Sequence, residues 1–251
     1  MGYREYQPVG ALADLVACTW ERTVPHFDPV ATRVLPDGCV DLVWRPGELF
    51  VAGPDRAAVV SPVEPGTTIV GLRLRTGTAG AVLGVPAHEL LDSRDSLDAI
   101  WGRRGATLAD QIADTPDPAR QRRLLEHALL AARSEMREPD PLVLAASREL
   151  GRPGSRVAAL SEQFATSERQ LLRRFDAAVG YGPKMLDRVL RLRRFLSRAA
   201  NDDRVSLADL ASALGYADQA HLGRDCLRLT GLTPAQLVAS RRPSADVEQV
   251  A

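Results

Sequence analysis

The sequence predicts an α+β protein, with a small N-terminal β-barrel domain bracketed by helices and an all-α C-terminal domain. Three observations support this fold class. Short apolar and β-branched runs separated by turn formers fill the first part of the chain. Helical periodicity dominates the rest. A helical unit also occurs twice near the C-terminus, at an offset of about 51 residues, which is typical of a duplicated motif.

Six β-strands are predicted in the first part of the chain, at 15–23, 31–35, 39–44, 49–52, 57–61 and 67–74. Pro, Gly and Asp separate them, in turns at 36–38, 45–47, 53–55 and 64–66. Antiparallel strands at this spacing predict a small barrel or sandwich.

Helices are predicted after this barrel, at 80–83, 87–91, 96–101, 108–112 and 119–135. The last of them has an apolar face suited to packing on the barrel or on a second subunit, formed by Leu124, Leu125, Ala128, Leu129 and Ala132. The prolines in Glu138-Pro139-Asp140-Pro141 then interrupt the helix. We therefore expect an N-terminal domain at 1–140, a second domain at 141–242 and a disordered tail at 243–251.

Each copy of the repeated unit contains a short helix, a tight turn, a longer helix, and then a Gly with a Pro three residues later. The equivalent pairs are Leu171 and Leu222, Phe175 and Cys226, Gly180 and Gly231, and Pro183 and Pro234. This order is typical of a helix-turn-helix motif. Ser161 and Ala211 are the small residues expected to face the partner helix. Gly215 supplies the turn of the second copy, whereas 164–166 is a poorer turn in the first.

The second helix of each unit begins with a capping signal, Ser167 with Gln170 in the first copy and Asp218 in the second. Buried stripes are predicted in the two helices at Leu171, Leu172, Phe175 and Val179, and at Leu222, Cys226 and Leu229. Long polar side chains are expected on their exposed faces, and Arg and Gln pair with guanine and adenine edges in the major groove. The candidate DNA-contacting residues are Ser167, Glu168, Arg169, Gln170, Arg173 and Arg174, followed by Gln219, His221 and Arg224.

A long helix is predicted between the two units, over 183–198, with an apolar stripe formed by Leu186, Val189, Leu190, Leu192, Phe195 and Leu196. Arg188, Arg191 and Arg194 form a second, basic stripe. This stripe is either a solvated face or a set of phosphate contacts. A helix of this length spans roughly 25 Å and would place the units near one turn of DNA apart, about 34 Å.

Residues from about 150 to 242 resemble the DNA-binding domain of the AraC/XylS family of bacterial transcription factors. The motifs are L-A-D-L-A-S-A-L-G-Y-A-D-Q-A-H-L, T-G-L-T-P and G-Y-G-P-K-M-L-D-R-V-L-R-L-R-R-F. The resemblance implies seven helices and two recognition helices in successive major grooves of double-stranded DNA. The chain departs from the pattern at Leu222 and Cys226, where the family usually has aromatic residues, with a Lys shortly after. This departure concerns the contacts of the second helix rather than the fold.

The first hundred residues resemble a degenerate cupin-type sensor domain, through the phrase R-V-L-P-D-G-C-V-D-L-V-W. The resemblance implies a domain that senses a small-molecule effector or forms a homodimer. It also implies RNA polymerase as a partner if the protein is an activator. The sequence does not decide between activation and repression.

The charges agree with this assignment. The chain has 32 basic and 32 acidic residues, but 152–242 holds 16 basic and 9 acidic side chains, whereas 1–151 has a net charge of about −5. A basic segment on an acidic body favours DNA binding. No apolar run is long enough to span a bilayer and no signal pattern begins the chain, so we expect a cytoplasmic protein without membrane contact.

An enzyme is the alternative class, for example a Cys-dependent DNA-repair protein built on a small barrel. The sequence contains no Ser-His-Asp, P-loop or dinucleotide-binding pattern, and no His-x-His pair among its four histidines. We therefore expect no catalytic residues, no metal site and no cofactor. Cys18, Cys39 and Cys226 are scattered, as expected for reduced thiols, and Cys39 remains open as a sensing thiol.

Overall fold

A computed structural model describes residues 2–26, 31–201 and 206–241. The predicted tail at 243–251 lies outside these residues. The N-terminal domain contains eight strands, β1 Gly2–Tyr6, β2 Val16–Thr23, β3 Ala31–Val34, β4 Val40–Arg45, β5 Glu48–Ala52, β6 Val59–Pro62, β7 Thr68–Leu74 and β8 Arg94–Ser96. Six of them form an antiparallel sheet in the order β1-β2-β7-β4-β5-β8, and β3 pairs with β6 in a separate two-stranded ribbon.

The six predicted strands correspond to β2 to β7, with ends that differ by one or two residues. β1 and β8 were not predicted. β1 is an exposed strand with charged Arg4 and Glu5 in its middle, and β8 has only three residues, so neither carries a clear apolar alternation. These two strands lie at opposite edges of the sheet. The sheet is therefore open, and the domain is closer to the sandwich alternative than to a closed barrel.

Four helices follow β7, α1 Ala79–Leu83, α2 Leu97–Trp101, α3 Arg103–Ala113 and α4 Pro118–Ala132, and β8 lies between the first two. The helices predicted after the strand-rich part of the chain are thus confirmed. α4 packs against β7, and its Leu125 and Leu129 are fully buried there with Leu72 and Ile112. The other side of the predicted apolar face, with Leu124 and Ala128, is only partly buried.

In the described part of the chain, seven helices follow Asp140. They are α5 Pro141–Leu150, α6 Leu160–Gln163, α7 Glu168–Val179, α8 Pro183–Asn201, α9 Leu207–Ala213, α10 Gln219–Thr230 and α11 Pro234–Arg241. α8 connects the two repeated units, and its Phe195 is fully buried in their common core. Truncation of a buried Phe to Ala typically costs about 3–5 kcal/mol. α1 and the 3-10 turn at Ala87–Leu90 pack against α7, which joins the two domains.

Candidate nucleic-acid interface

The two helix-turn-helix units have equivalent turns. In the first, the Thr166 amide donates to the Ser161 carbonyl oxygen at 2.9 Å, and in the second the Tyr216 amide donates to the Ala211 oxygen at 3.0 Å. Gly215 has the predicted positive φ of 78°, whereas the first unit places Ala165 at a φ of 47°. A residue with a Cβ in this region is uncommon. The first turn, which the sequence predicts to be the poorer one, therefore holds Ala165 in the left-handed conformation. Ala165 occupies the position that Gly215 takes in the second turn.

α7 begins with the predicted capping box. The Gln170 amide donates to Ser167 Oγ at 3.2 Å, and the Ser167 amide donates to Gln170 Oε1 at 3.5 Å. The capping box fixes the position at which α7 starts, and it occupies the amide oxygen of Gln170. The side-chain nitrogen of Gln170 is the group that remains for a base edge.

The exposed face of α7 carries five of the six residues predicted there, namely Ser167, Glu168, Arg169, Gln170 and Arg173. Leu172 is 48% exposed, so its assignment to the buried stripe was wrong. The buried stripe is narrower and consists of Leu171, Phe175 and Val179. Leu172 follows Leu171 by about 100° around the helix, which moves it onto the flank.

Arg174 does not belong to the exposed face. Its Nε and Nη2 donate to the Asp140 carboxylate at 2.6 and 2.9 Å. Asp140 is also the N-cap of α5, where it accepts from the amides of Leu142 and Val143. These donors and the Arg174 charge hold the pKa of Asp140 below its ordinary value, although its burial acts in the opposite direction. Arg174 thus joins α7 to α5, and 38% of its side chain stays exposed.

α10 begins at the Asp218 cap, whose carboxylate accepts from the His221 amide at 2.6 Å. Gln219 and Arg224 are exposed, as predicted. His221, by contrast, makes contacts within the protein. Its ring packs edge-on against the Tyr216 ring, with 5.2 Å between the ring centroids, and its Nδ1 lies 3.4 Å from the Ala217 amide nitrogen. The His221 ring is therefore engaged within the turn, and 32% of its side chain is exposed.

Asp225 is buried between α10 and α8. Its carboxylate lies 3.7 Å from Arg191 Nη2 and 3.9 Å from Arg188 Nε. Arg191 is only 14% exposed, packs over the Tyr216 ring and lies 3.4 Å from Asp187. Arg191 therefore ties α8 to the second unit. Arg188 is 38% exposed, which leaves part of its guanidinium accessible.

Arg194, on α8, lies beside the C-terminal end of α5. Its Nη1 donates to the carbonyl oxygens of Leu150 and Gly151 at 2.9 and 3.0 Å. The last carbonyls of a helix have no partner within that helix, so a cation there is stabilising. This contact leaves Arg194 20% exposed.

Residues 160–240 match a protein family described as a helix-turn-helix domain, and residues 4–95 match a domain of unknown function, DUF6597. No curated protein matches the chain. A crystal structure of ToxT from Vibrio cholerae O395 is similar, with a TM-score of 0.44, 10% identity, and coverage of 88% of this chain and 96% of that one. A second ToxT structure, bound to (E)-4-(8-methylnaphthalen-1-yl)but-3-enoic acid, has a TM-score of 0.45 at 8% identity over 95% of this chain and 99% of that one.

Residues 160–240 are an AraC-type helix-turn-helix domain. The chain is accordingly a DNA-binding transcription regulator, and the resemblance in its sequence is confirmed. α7 and α10 are the second helices of its two helix-turn-helix units, the position that the recognition helix takes in this motif.

A cleft of the AraC-type domain adds a residue that the sequence analysis did not assign. Arg169, Lys184 and Arg188 line the space between the start of α7 and the start of α8. Lys184 is exposed and is the only lysine of the chain. The sequence signal for Lys184 was its position next to Pro183. That proline begins α8, beside the start of α7.

The N-terminal domain has a cavity of about 210 Å³ between its sheet and the β3–β6 ribbon. Its walls are mostly apolar and aromatic, and include Trp20, Val34, Val43, Phe50, Pro62 and Ile69. One acidic residue, Asp41, also lines it and is bound to Arg73 through two hydrogen bonds of 3.0 Å. Burial raises the pKa of Asp41, whereas the Arg73 guanidinium acts in the opposite direction.

The three thiols lie in surroundings that disfavour the thiolate. Burial raises the pKa of Cys18 to about 11 and that of Cys226 to about 12. The pKa of Cys39 is also raised, by burial and by the neighbouring carboxylates of Asp37 and Asp41. Within residues 2–26, 31–201 and 206–241, no three His, Cys, Asp or Glu side chains are grouped to hold a metal ion. No helix in these ranges is long and apolar enough to cross a membrane.

Proposed function

We propose that the protein recognises a specific DNA sequence by inserting α7 and α10 into successive major grooves. The observation that carries this proposal is that both recognition helices follow equivalent turns and present Arg and Gln side chains to solvent at their starts. These residues pair with purine edges in the major groove. The proposed contacts are Ser167, Glu168, Arg169, Gln170, Arg173, Lys184 and Arg188 near the first helix, and Gln219 and Arg224 on the second.

We propose further that residues 1–140 form a sensor domain and residues 141–242 a DNA-binding domain. The cavity between sheet and ribbon supports a role for the first in holding a small, mostly apolar effector. Its volume of about 210 Å³ is of the size that admits a single-ring molecule. Such an effector changes DNA binding only if it binds one arrangement of the domains more tightly than the other.

The raised thiol pKa values support a protein without catalytic activity over the Cys-dependent enzyme, because the thiolate is the reactive form. Since its partner is chromosomal DNA, we place the protein in the bacterial cytoplasm. RNA polymerase is a partner if the protein activates transcription. A groove between α3 and α4, which includes Leu108, Leu124 and Ala128, is the proposed homodimer face.

Selection of bound duplexes from a random DNA library tests the central proposal. We expect the full chain to enrich one sequence with two half-sites, and to lose affinity for it steeply as salt increases. Enrichment should weaken in Arg169→Ala and persist in Arg4→Ala, which removes an exposed arginine of β1. A library that emerges without a common sequence would contradict the proposal.

A further inference from the structure

The loop that follows β5, residues 53–58, contacts both recognition helices. We call it the bridging loop. At the end of α7, Gly180 has a φ of 94°, and a Cβ placed there would lie 2.6 Å from Pro54 Cγ and 2.9 Å from the Ala87 carbonyl oxygen. The bridging loop therefore packs directly against the point where α7 ends.

The same loop also reaches the end of α10. The Ala58 amide donates to the Leu229 carbonyl oxygen at 2.7 Å. Arg33, on β3, donates through Nη1 to the Thr230 oxygen at 2.9 Å. Because the last carbonyls of a helix have no partner within it, these donors complete the end of α10. Two groups of the N-terminal domain thus cap the second recognition helix.

Hydrogen bonds to Asp92 and Arg94 of the N-terminal domain hold the bridging loop in place. Asp55 is 7% exposed and accepts two hydrogen bonds from Arg94, of 3.0 and 2.7 Å. The Asp92 carboxylate accepts from the Arg56 amide at 2.8 Å and from Arg56 Nε at 2.7 Å. The Asp92 amide in turn donates to the Pro54 oxygen at 3.1 Å. These bonds hold residues 54–56 of the bridging loop against residues 92–94.

We infer that the bridging loop holds the two recognition helices at a set separation, so that the N-terminal domain contributes to the choice of half-site spacing. α8 is one connection between the two helix-turn-helix units, and the loop is a second one that ties the ends of α7 and α10 to the same rigid turn. A second connection removes relative motion that a single helix permits. This inference rests on the proposed function, in which both helices enter DNA.

A distance measurement on the free protein tests the separation without DNA. Nitroxide labels are placed on Arg169→Cys and Gln219→Cys in the full chain with Cys39→Ser, and the distance distribution is measured by pulsed electron spin resonance. We expect one narrow distribution, which broadens when Arg33→Ala and Asp55→Asn are added. Arg4→Ala, which changes an exposed arginine on β1, is the matched control and should leave it narrow. An equally narrow distribution in the Arg33→Ala and Asp55→Asn protein overturns the inference.

DNA duplexes with altered spacing test the consequence. The selected half-sites are separated by their native spacing or by one or two additional base pairs, and the affinity ratio is measured for each protein. Loss of the bond from Arg33 to the Thr230 oxygen should lower this ratio about fivefold, the effect expected for one hydrogen bond. If Asp55→Asn impairs folding, Arg33→Ala alone serves, because its side chain lies outside both cores. An unchanged ratio in a folded variant overturns the inference, whereas a wild-type protein that selects no half-sites overturns the proposed function itself.

Discussion

Arg194 Nη1 lies 2.9 Å from the carbonyl oxygen of Leu150, the last residue of α5. This contact assigns to the helix end an arginine that the sequence placed on a phosphate-binding stripe. The distinction has measurable consequences, because a capping residue affects stability and a phosphate contact affects the salt dependence of binding.

Arg194→Ala should lower the free energy of unfolding by about 1–2 kcal/mol, since it leaves the end of α5 without its cation. The slope of DNA affinity against salt concentration should stay unchanged. Urea unfolding and a salt titration of DNA binding measure the two quantities. Arg4→Ala, at an exposed position of β1, is the control for stability. A flatter salt slope at unchanged stability would restore Arg194 to the DNA interface.

The pair formed by Asp140 and Arg174 predicts a pH dependence of stability. The folded state lowers the pKa of Asp140. Its contribution is therefore present above the unfolded value, near 3.9, and disappears as the pH falls through the folded value. Urea unfolding of the wild type and of Asp140→Asn, which keeps a capping side chain, should differ at pH 6 and converge below about pH 4. A difference that stays constant over this range would show that the ion pair does not contribute.

The first recognition helix should carry more base specificity than the second. Arg169, Gln170 and Arg173 are exposed on α7, whereas α10 offers Gln219 and Arg224 after His221 is assigned to the turn. Arg169→Ala should cost about 1–3 kcal/mol of binding and relax the preference at one or two base pairs. Selection experiments with single variants measure this relaxation at each position. The ranking would be reversed if Gln219→Ala or Arg224→Ala relaxed more positions than any change in α7.

Slow thiol modification is expected throughout the chain. With pKa values of about 11 for Cys18 and about 12 for Cys226, less than about 1% of either thiol is ionised at pH 8. Iodoacetamide should therefore label the native protein much more slowly than the same protein in urea. Fast labelling of Cys39 in the native state would favour the sensing thiol that the sequence left open.

Local patterns in the sequence were sufficient to predict much of the fold. The strands were found because Pro and Gly mark their ends, and α7 because Ser167 and Gln170 form a capping box within four residues. The contacts that the sequence did not predict join partners distant in sequence. Helical periodicity places Arg174 and Arg194 on polar faces, but only the tertiary structure brings Asp140 and the end of α5 next to them. The contact of Arg33 with α10 spans the two domains and has no local signal.

Hydroxyl-radical footprinting of the full chain on its selected duplex tests the central claim most directly, because it locates the contacts along the DNA. Two recognition helices in successive major grooves should protect two patches on one face of the duplex, about one helical turn apart. Arg169→Ala should weaken one patch and Arg224→Ala the other. A single protected patch, or protection that does not depend on either arginine, would contradict the account.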